Sequence, residues 1–138
     1  MPEYVVRSAA VLILTLVPSM LHAQGKPDCN DPQTQTEMNI CAGLDYKAAD
    51  AELNRVYKAA IANMKEMDAS LPPELKGAEK TLRKAQRAWI PYRDNACEAY
   101  GFMVRGGSME SMLVGSCLAN LTRNRIKELK AIAGGLAN

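Results

Sequence analysis

Four cysteines are the residues of this sequence with the most specific chemistry: Cys29, Cys41, Cys97 and Cys117. An even number of cysteines in an exported chain is typical of disulfides, whereas in a reducing compartment the same residues indicate free thiols or a metal site. Four cysteines can form two disulfides in three ways. The compartment of the protein therefore decides how they are interpreted.

The first 23 residues are typical of a secretory signal peptide. An apolar run follows Arg7, but it is short for a bilayer span and contains Pro18, which weakens a helix. Ala23 closes the segment with a small residue that a signal peptidase accepts. We predict a signal peptide over 1–23 and one domain over 24–138, periplasmic or secreted and without stable membrane insertion after cleavage. A membrane anchor is the alternative.

The distribution of histidine restricts the chemistry of the exported chain. The one histidine, His22, lies in the predicted signal peptide. Its loss removes histidine-based acid–base catalysis, Ser-His and Cys-His nucleophile pairs, and most zinc and copper sites. Glycosidase chemistry would need two carboxylates across a cleft, which a slim helical bundle does not offer. We therefore expect no enzymatic activity, no metal and no other cofactor.

Length and composition fit a single soluble domain. The chain has 138 residues, of which 48% are apolar and 23% charged, so it can build a core. The net charge is +2, and it stays +2 without residues 1–23 because they hold one acidic and one basic residue. Aromatic residues make up only 5% of the chain. Because stacked aromatic residues are typical of single-stranded nucleic-acid platforms, we expect no nucleic-acid partner.

Apolar residues recur every three or four positions in three segments, which is the spacing of one helix face. The first helix is predicted to begin at a capping box of Thr34 and Glu37 and to stop before Pro72. The third is predicted to follow the Gly106-Gly107 break, with Ser108 as its cap.

The second helix is predicted over about 73–100, with a kink at Pro91. Its apolar stripe is predicted to be Leu75, Ala78, Leu82, Ala85, Trp89, Tyr92, Ala96 and Ala99. No segment alternates with the period of a half-buried strand. Because short connections favour antiparallel neighbours, the fold class is all-α, a disulfide-stapled antiparallel three-helix bundle running up, down and up.

This topology places all four cysteines at one end of the bundle. Cys97 and Cys117 flank the turn between the second and third helices at similar distances. Cys29 precedes the first helix and can fold back on Cys41. We favour these two pairings, while a crossed pairing that staples the N-terminal segment onto the second or third helix remains open.

Several spaced motifs together resemble one family. They are Thr34-x-Thr36-Glu37-Met38-x2-Cys41, Trp89-x2-Tyr92-Arg93-Asp94-x2-Cys97 and Cys117-Leu118-x3-Thr122-x2-Arg125. The combination is similar to the LprI-type lysozyme-inhibitor domain family over about residues 28–132. The resemblance implies a small exported bacterial protein and a lysozyme as its protein partner. This chain lacks the lipidation cysteine of the family's founding lipoprotein.

The second motif combines apolar and charged residues at one end of the second helix. We expect Trp89 and Tyr92 to pack in the core, and Arg93 and Asp94 to make capping or ion-pair contacts near the disulfides. These are structural roles.

Arg125 falls within the apolar arc of the third helix, and a buried arginine needs a partner. Asp50 lies at a similar height on the first helix when one helical rise per residue is counted from the cysteine end. We therefore predict an Asp50–Arg125 ion pair.

The connection between the second and third helices is the candidate binding surface, because it places large apolar residues around two glycines. A nearby disulfide would hold it rigid, which lowers the entropy cost of binding. The start of the third helix beside Ser108 suits a carboxylate. The predicted partner-binding residues are Phe102, Met103, Val104, Arg105, Ser108, Met109 and Met112. Alternatively, they pack against the N-terminal segment or form a dimer contact.

The functional prediction is a non-enzymatic inhibitor that inserts this connection into a lysozyme cleft, where Arg105 or Ser108 meets a catalytic carboxylate. The alternative is a structural or interaction protein of the cell envelope that uses the same patch. The basic exposed side of the second helix would repel a cationic lysozyme, so the interface is expected elsewhere. The predicted state is a monomer or a weak homodimer.

Overall fold

The computed structural model describes residues 27–134, which form three helices and no strand. The helices are α1 (Gln35–Ser70), α2 (Ala78–Gly101) and α3 (Glu110–Gly134). This confirms the predicted all-helical class. The predicted signal peptide 1–23 and both ends of the predicted domain 24–138 lie outside the described residues. Within 27–134, no helix has the length and apolar character needed to cross a bilayer.

The first helix begins at the predicted capping box. The Thr34 hydroxyl accepts a hydrogen bond from the Glu37 amide at 3.2 Å, and the Glu37 carboxylate accepts one from the Thr34 amide at 2.9 Å. The same carboxylate also accepts from the Gln33 amide. These backbone bonds, with that from Gln33 the strongest, lower the pKa of Glu37 because they favour its charged form. The cap therefore defines where α1 starts.

The second helix starts later than predicted, because a 3₁₀ turn over Pro73–Leu75 comes first. Its N-cap is Gly77, with φ of 145°, which has no side chain to accept the first amides. Asp68, near the end of α1, takes that role. Its carboxylate accepts from the amides of Gly77, Ala78 and Glu79 at 2.8, 2.9 and 3.0 Å. The end of α1 thereby fixes the start of α2.

Replacing Asp68 with alanine is expected to lower the melting temperature by a few degrees at neutral pH, as loss of an N-cap does. The amide bonds, led by that from Gly77, hold the pKa of Asp68 below its ordinary value. Its contribution is therefore complete above the ordinary carboxyl range and disappears as the pH falls through the lowered pKa. Thermal melts of both proteins between pH 7 and pH 2 should converge at the acid end. A difference independent of pH would contradict this role.

The core lies where the three helices meet. Leu53, Val56 and Ala60 of α1 pack with Leu82 of α2 and with Ile126 and Leu129 of α3. Near the other end, α1 and α3 approach closely at Gly115, where an added Cβ would lie 3.1 Å from the Ala42 Cβ. Only a glycine lets the helix backbones come this near.

Two disulfides join Cys29 to Cys41 and Cys97 to Cys117, the pairing that the sequence favoured. Cys97 is fully buried, whereas Cys29 is exposed. The first disulfide holds the N-terminal segment on α1, and the second fastens the end of α2 to α3. Together they brace the end of the bundle that carries the α2–α3 connection.

Replacing Cys97 and Cys117 together with alanine is expected to reduce the free energy of unfolding by about 3 kcal/mol, the chain-entropy contribution of a 20-residue separation. Removal of the buried Cys97 sulfur adds a packing loss. Urea unfolding measures the change, with the Cys29→Ala, Cys41→Ala variant as the comparison. That variant loses a more exposed disulfide, so a larger loss there would contradict the central role of the second disulfide.

The buried face of α2 differs from the predicted stripe. Its buried residues are Leu82, Gln86, Arg93, Cys97 and Gly101. Tyr92, predicted to lie in the core, is 62% exposed, and this prediction was wrong. Trp89 is half-buried against the core. The helix is rotated because Gln86 and Arg93 point inward, where each finds a polar partner, and this turns Ala85, Tyr92 and Ala99 toward solvent.

Candidate functional site

The α2–α3 connection is a tight structure built around two glycines. A 3₁₀ turn over Phe102–Val104 continues directly from α2. Gly106 has φ of 76°, in the left-handed region that favours glycine. The amide of Gly107 donates to the carbonyl oxygen of Val104 at 2.9 Å. The backbone thus reverses direction within a few residues and is hydrogen-bonded to itself.

Glu110, the first residue of α3, holds the connection in place. One carboxylate oxygen accepts from Arg105 Nη1 at 2.9 Å, and the other accepts from the Gly106 amide at 2.8 Å. The carboxylate also suits the positive end of the α3 dipole. This contact was not predicted from the sequence. The only signal for it was an arginine and a glutamate on either side of the two glycines.

Large apolar side chains of the connection are open to solvent. Phe102 is 58% exposed, Met103 68% and Met109 42%, while Val104 is half-buried. The guanidinium carbon of Arg105 lies 4.5 Å from the centroid of the Phe102 ring, a cation–π distance. This contact and the Glu110 ion pair fix the Arg105 side chain, yet just over half of it stays exposed. A guanidinium has five N–H donors, so it can bind a further acceptor.

Two of the predicted binding residues lie differently from the rest. Met112 is half-buried and faces the Cys29–Cys41 side, where its sulfur accepts a weak hydrogen bond from Gln35. Ser108 is exposed, and its carbonyl oxygen accepts from Asn39 Nδ2 at 3.0 Å, which ties the connection to α1. Because α3 begins at Glu110, the prediction that Ser108 caps it was wrong: Met109 is the preceding residue.

A shallow groove of about 560 Å³ runs beside the connection, between α1 and the first turns of α3. It is lined by Gly43, Tyr46, Gly106, Gly107, Glu110 and Leu118. Four of the residues that line it are glycines: Gly43, Gly106, Gly107 and Gly115. We call this groove and the exposed apolar side chains of Phe102, Met103 and Met109 together the connection surface.

A buried arginine lies beneath α2 near this surface. Arg93 is only 6% exposed, and its guanidinium contacts Asp50 at 3.2 Å and Asp94 at 2.8 Å. The rings of Tyr46 and Trp89 lie 5.2 and 5.1 Å from its central carbon. Burial lowers the pKa of Arg93, but the Asp94 hydrogen bond and the other neighbouring groups raise it by more. The pKa therefore lies above its ordinary value, and Arg93 stays charged. This cluster joins α1 to α2 at the base of the connection.

The predicted Asp50–Arg125 pair was wrong, since the partner of Asp50 is Arg93. Arg125 donates from Nε to Gln86 of α2 at 3.0 Å and pairs with Glu128 one turn later on α3. The prediction compared positions along the bundle, and position along the bundle does not specify direction around the helix. Arg125 points toward α2 and not toward α1.

The polar groups around the surface are largely engaged with one another. Asp45 pairs with Arg123, in addition to the Asp50 and Glu110 contacts described above. Within 27–134, no group of three or more His, Cys, Asp or Glu side chains is arranged to hold a metal. What this arrangement can do chemically is recognition, through apolar contact and a presented guanidinium.

Comparison with protein families agrees with this description. The sequence matches the family described as "Lysozyme inhibitor LprI" over residues 28–129, which is most of the chain. The chain belongs to the LprI family. This confirms the resemblance drawn from the spaced motifs. In this LprI protein the second of those motifs supplies Arg93, the buried centre of the cluster, and Trp89, one of the rings beside it.

Relatives of this LprI protein carry little further information. It is 51% identical over 118 residues to "Uncharacterized protein R02472" of Rhizobium meliloti (strain 1021), which covers 83% of this chain and 85% of the relative. It is 29% identical over 83 residues to "Uncharacterized protein YecT" of Escherichia coli (strain K12), covering 51% and 48%. No solved structure matches the chain. The family name therefore supplies the general role.

Proposed function

We propose that this protein is an exported, non-enzymatic inhibitor that blocks a lysozyme by inserting the α2–α3 connection into the enzyme's cleft. The observation that carries the proposal is the exposure of Phe102 and Met103 on a backbone held rigid from both sides. Exposed apolar side chains on a fixed turn bind at a low entropic cost. The family description names the same kind of partner.

Arg105 gives the insertion its chemical specificity. Lysozymes hydrolyse glycans with a pair of acidic residues, one on each side of the scissile bond. A guanidinium carried on an apolar turn would meet a catalytic carboxylate while Phe102 and Met103 fill the sugar-binding space. Glu110 and the Phe102 ring hold the Arg105 guanidinium in one position before binding, so little side-chain freedom is lost.

Export and the direction of the helices are part of the same proposal. Two disulfides support an oxidising compartment, periplasmic or extracellular, reached by cleavage of residues 1–23. An up-down-up order of the helices is supported by two contacts. Asp68 at the end of α1 caps α2, and Asn63 of α1 donates to the carbonyl of Ala133 near the end of α3.

The charge distribution agrees with recognition through the connection. Lys80, Lys84 and Arg87 are exposed on the N-terminal half of α2, toward the opposite end of that helix from the connection. Basic residues there would repel a cationic enzyme, whereas the connection carries one arginine already paired with a glutamate. A lysozyme would therefore approach the disulfide-braced end.

The test is a wall-lysis assay with purified protein from the periplasm of an expression host. The protein is titrated against chicken-type and goose-type lysozymes, and we expect dose-dependent inhibition of at least one class. A heat-denatured and reduced sample is the control, because inhibition should depend on the fold. Absence of inhibition of both classes, with a cell-envelope protein captured through the Phe102 region instead, would favour the envelope-interaction alternative.

A further inference from the structure

One exposed side of α2 is an uncharged strip, and charged residues border one of its two flanks. One residue in every three or four faces the same way, and together they run nearly the length of the helix. Its members are Thr81, Ala85, Ala88, Tyr92, Ala96 and Ala99. All are exposed except Ala96, which is half-buried, and Tyr92 at its middle is 62% exposed. We call this the α2 strip.

The spacing of the α2 strip is the same in both directions from Tyr92. Ala88 and Ala96 lie four residues before and after it, and Ala85 and Ala99 lie seven before and after. Two such helices in antiparallel contact, related by a two-fold axis through Tyr92, would place Ala88 against Ala96 and Ala85 against Ala99. Small residues at these positions let two helices approach closely, so the strip is complementary to itself.

We propose that the protein forms a symmetric homodimer through antiparallel packing of the α2 strips of two copies. The inference goes beyond the proposed function and does not depend on it. Phe102 lies ten residues, or about 15 Å along the helix, from the axis, beyond the Ala85–Ala99 contacts at about 10 Å.

Charge supports the antiparallel direction. Lys84 and Glu98 border the same side of the α2 strip, one in each half of the helix, and neither forms an ion pair among residues 27–134. Lys84 lies about 12 Å before Tyr92 and Glu98 about 9 Å after it. The two-fold axis brings Lys84 of each copy within about 3 Å, along the helix direction, of Glu98 of the other copy. Parallel packing would instead put the two Lys84 side chains at one height on opposite sides of the interface, where they meet no Glu98.

One helix from each copy makes a small interface, below about 1,200 Å² in total, and such interfaces belong to weak complexes. We therefore expect reversible association in the micromolar range. Sedimentation equilibrium of the purified protein between about 1 μM and 1 mM should give an average mass that rises from one copy toward two. A mass of one copy across this range overturns the proposal, and so does a mass that rises beyond two copies.

Substitutions identify the surface. Tyr92→Glu places two carboxylates at the axis and should weaken the dimer at least tenfold. Ile90→Glu is the matched control: Ile90 is 41% exposed on the same helix but about 200° around it from Tyr92, so the dimer should persist. Circular dichroism melts check that both variants are folded. A dimer that survives Tyr92→Glu, or one that Ile90→Glu breaks equally, contradicts the assignment.

A charge exchange tests the direction of packing. Lys84→Glu and Glu98→Lys should each weaken the dimer, because each leaves like charges in two symmetric contacts. The double variant restores opposite charges and should recover most of the wild-type association. At high salt, the loss in the single variants and the recovery in the double variant should both be smaller. If the single variants weaken the dimer and the double variant does not recover, the antiparallel geometry is wrong. Wall-lysis inhibition by Tyr92→Glu, measured below the micromolar range where both proteins are monomers, should equal that of the wild type, which separates this proposal from the proposed function.

Discussion

Methionine in place of Arg93 is expected to lower the free energy of unfolding by about 3–5 kcal/mol, the cost of breaking a buried ion pair from one side. The change leaves the carboxylates of Asp50 and Asp94 without their common cation and removes the group between the Tyr46 and Trp89 rings. Asp50 and Asp94 are partly open to water, which places the expected cost toward the lower end. Urea unfolding monitored by Trp89 fluorescence measures it.

Arg125→Met is the matched control for this change. Its guanidinium is also mostly buried, but its partners are Gln86, which is neutral, and Glu128, which is well exposed. We expect a smaller loss. A double-mutant cycle between Asp50→Asn and Arg93→Met should show coupling of about 0.5–3 kcal/mol, and one between Asp50→Asn and Arg125→Met should be additive within about 0.5 kcal/mol. The reverse result would show that the ion-pair partner of Asp50 is Arg125 and not Arg93.

Local signals in the sequence were enough for the ends of α1. A hydroxyl and a glutamate three residues apart formed the capping box, and Pro72 followed the last turn. These features depend on neighbours in the chain, so a sequence pattern specifies them. The start of α2 does not depend on neighbours in the chain, because its amides donate to Asp68, which lies nine residues before Gly77 and on another helix.

The buried face of α2 shows where apolar periodicity fails. Counting apolar residues placed Tyr92 and Ala99 inside, because it treats every polar residue as a surface residue. Arg93 and Gln86 are inside because Asp50 and Arg125 are there to bind them. A pattern of one helix holds no information about partners on the other two. The motif containing Arg93 indicated the right region of α2, but only the structure shows which side of the helix faces inward.

The connection between α2 and α3 was partly foreseen. Its two glycines and its large apolar residues were visible in the sequence, and the exposure of Phe102 and Met103 agrees with that analysis. The contact between Glu110 and Arg105 was not foreseen, because it crosses a turn whose shape depends on the left-handed Gly106. This contact changes how a charge reversal at Arg105 should be tested.

The second large effect concerns inhibition. Arg105→Glu is expected to weaken inhibition of a sensitive lysozyme at least 100-fold, because a carboxylate would then face the enzyme's catalytic carboxylates. This corresponds to about 2.7 kcal/mol or more of binding free energy. Phe102→Ala should weaken it by about 1–3 kcal/mol through loss of apolar contact. Inhibition constants from wall-lysis assays measure both changes.

Arg105→Glu also breaks the ion pair with Glu110 and places two carboxylates side by side, so loss of inhibition has two explanations. Glu110→Gln separates them, since it removes the ion pair but keeps the positive charge of Arg105. We expect that variant to inhibit within about tenfold of the wild type, which is the entropic cost of a looser side chain. Lys80→Glu, which reverses an exposed charge on the N-terminal half of α2, toward the opposite end of that helix from the connection, should inhibit at least as well as the wild type. If Glu110→Gln fails as completely as Arg105→Glu, the fixed shape of the connection carries the binding and the guanidinium does not. If Arg105→Glu and Phe102→Ala both inhibit like the wild type, the lysozyme binds another surface of the molecule.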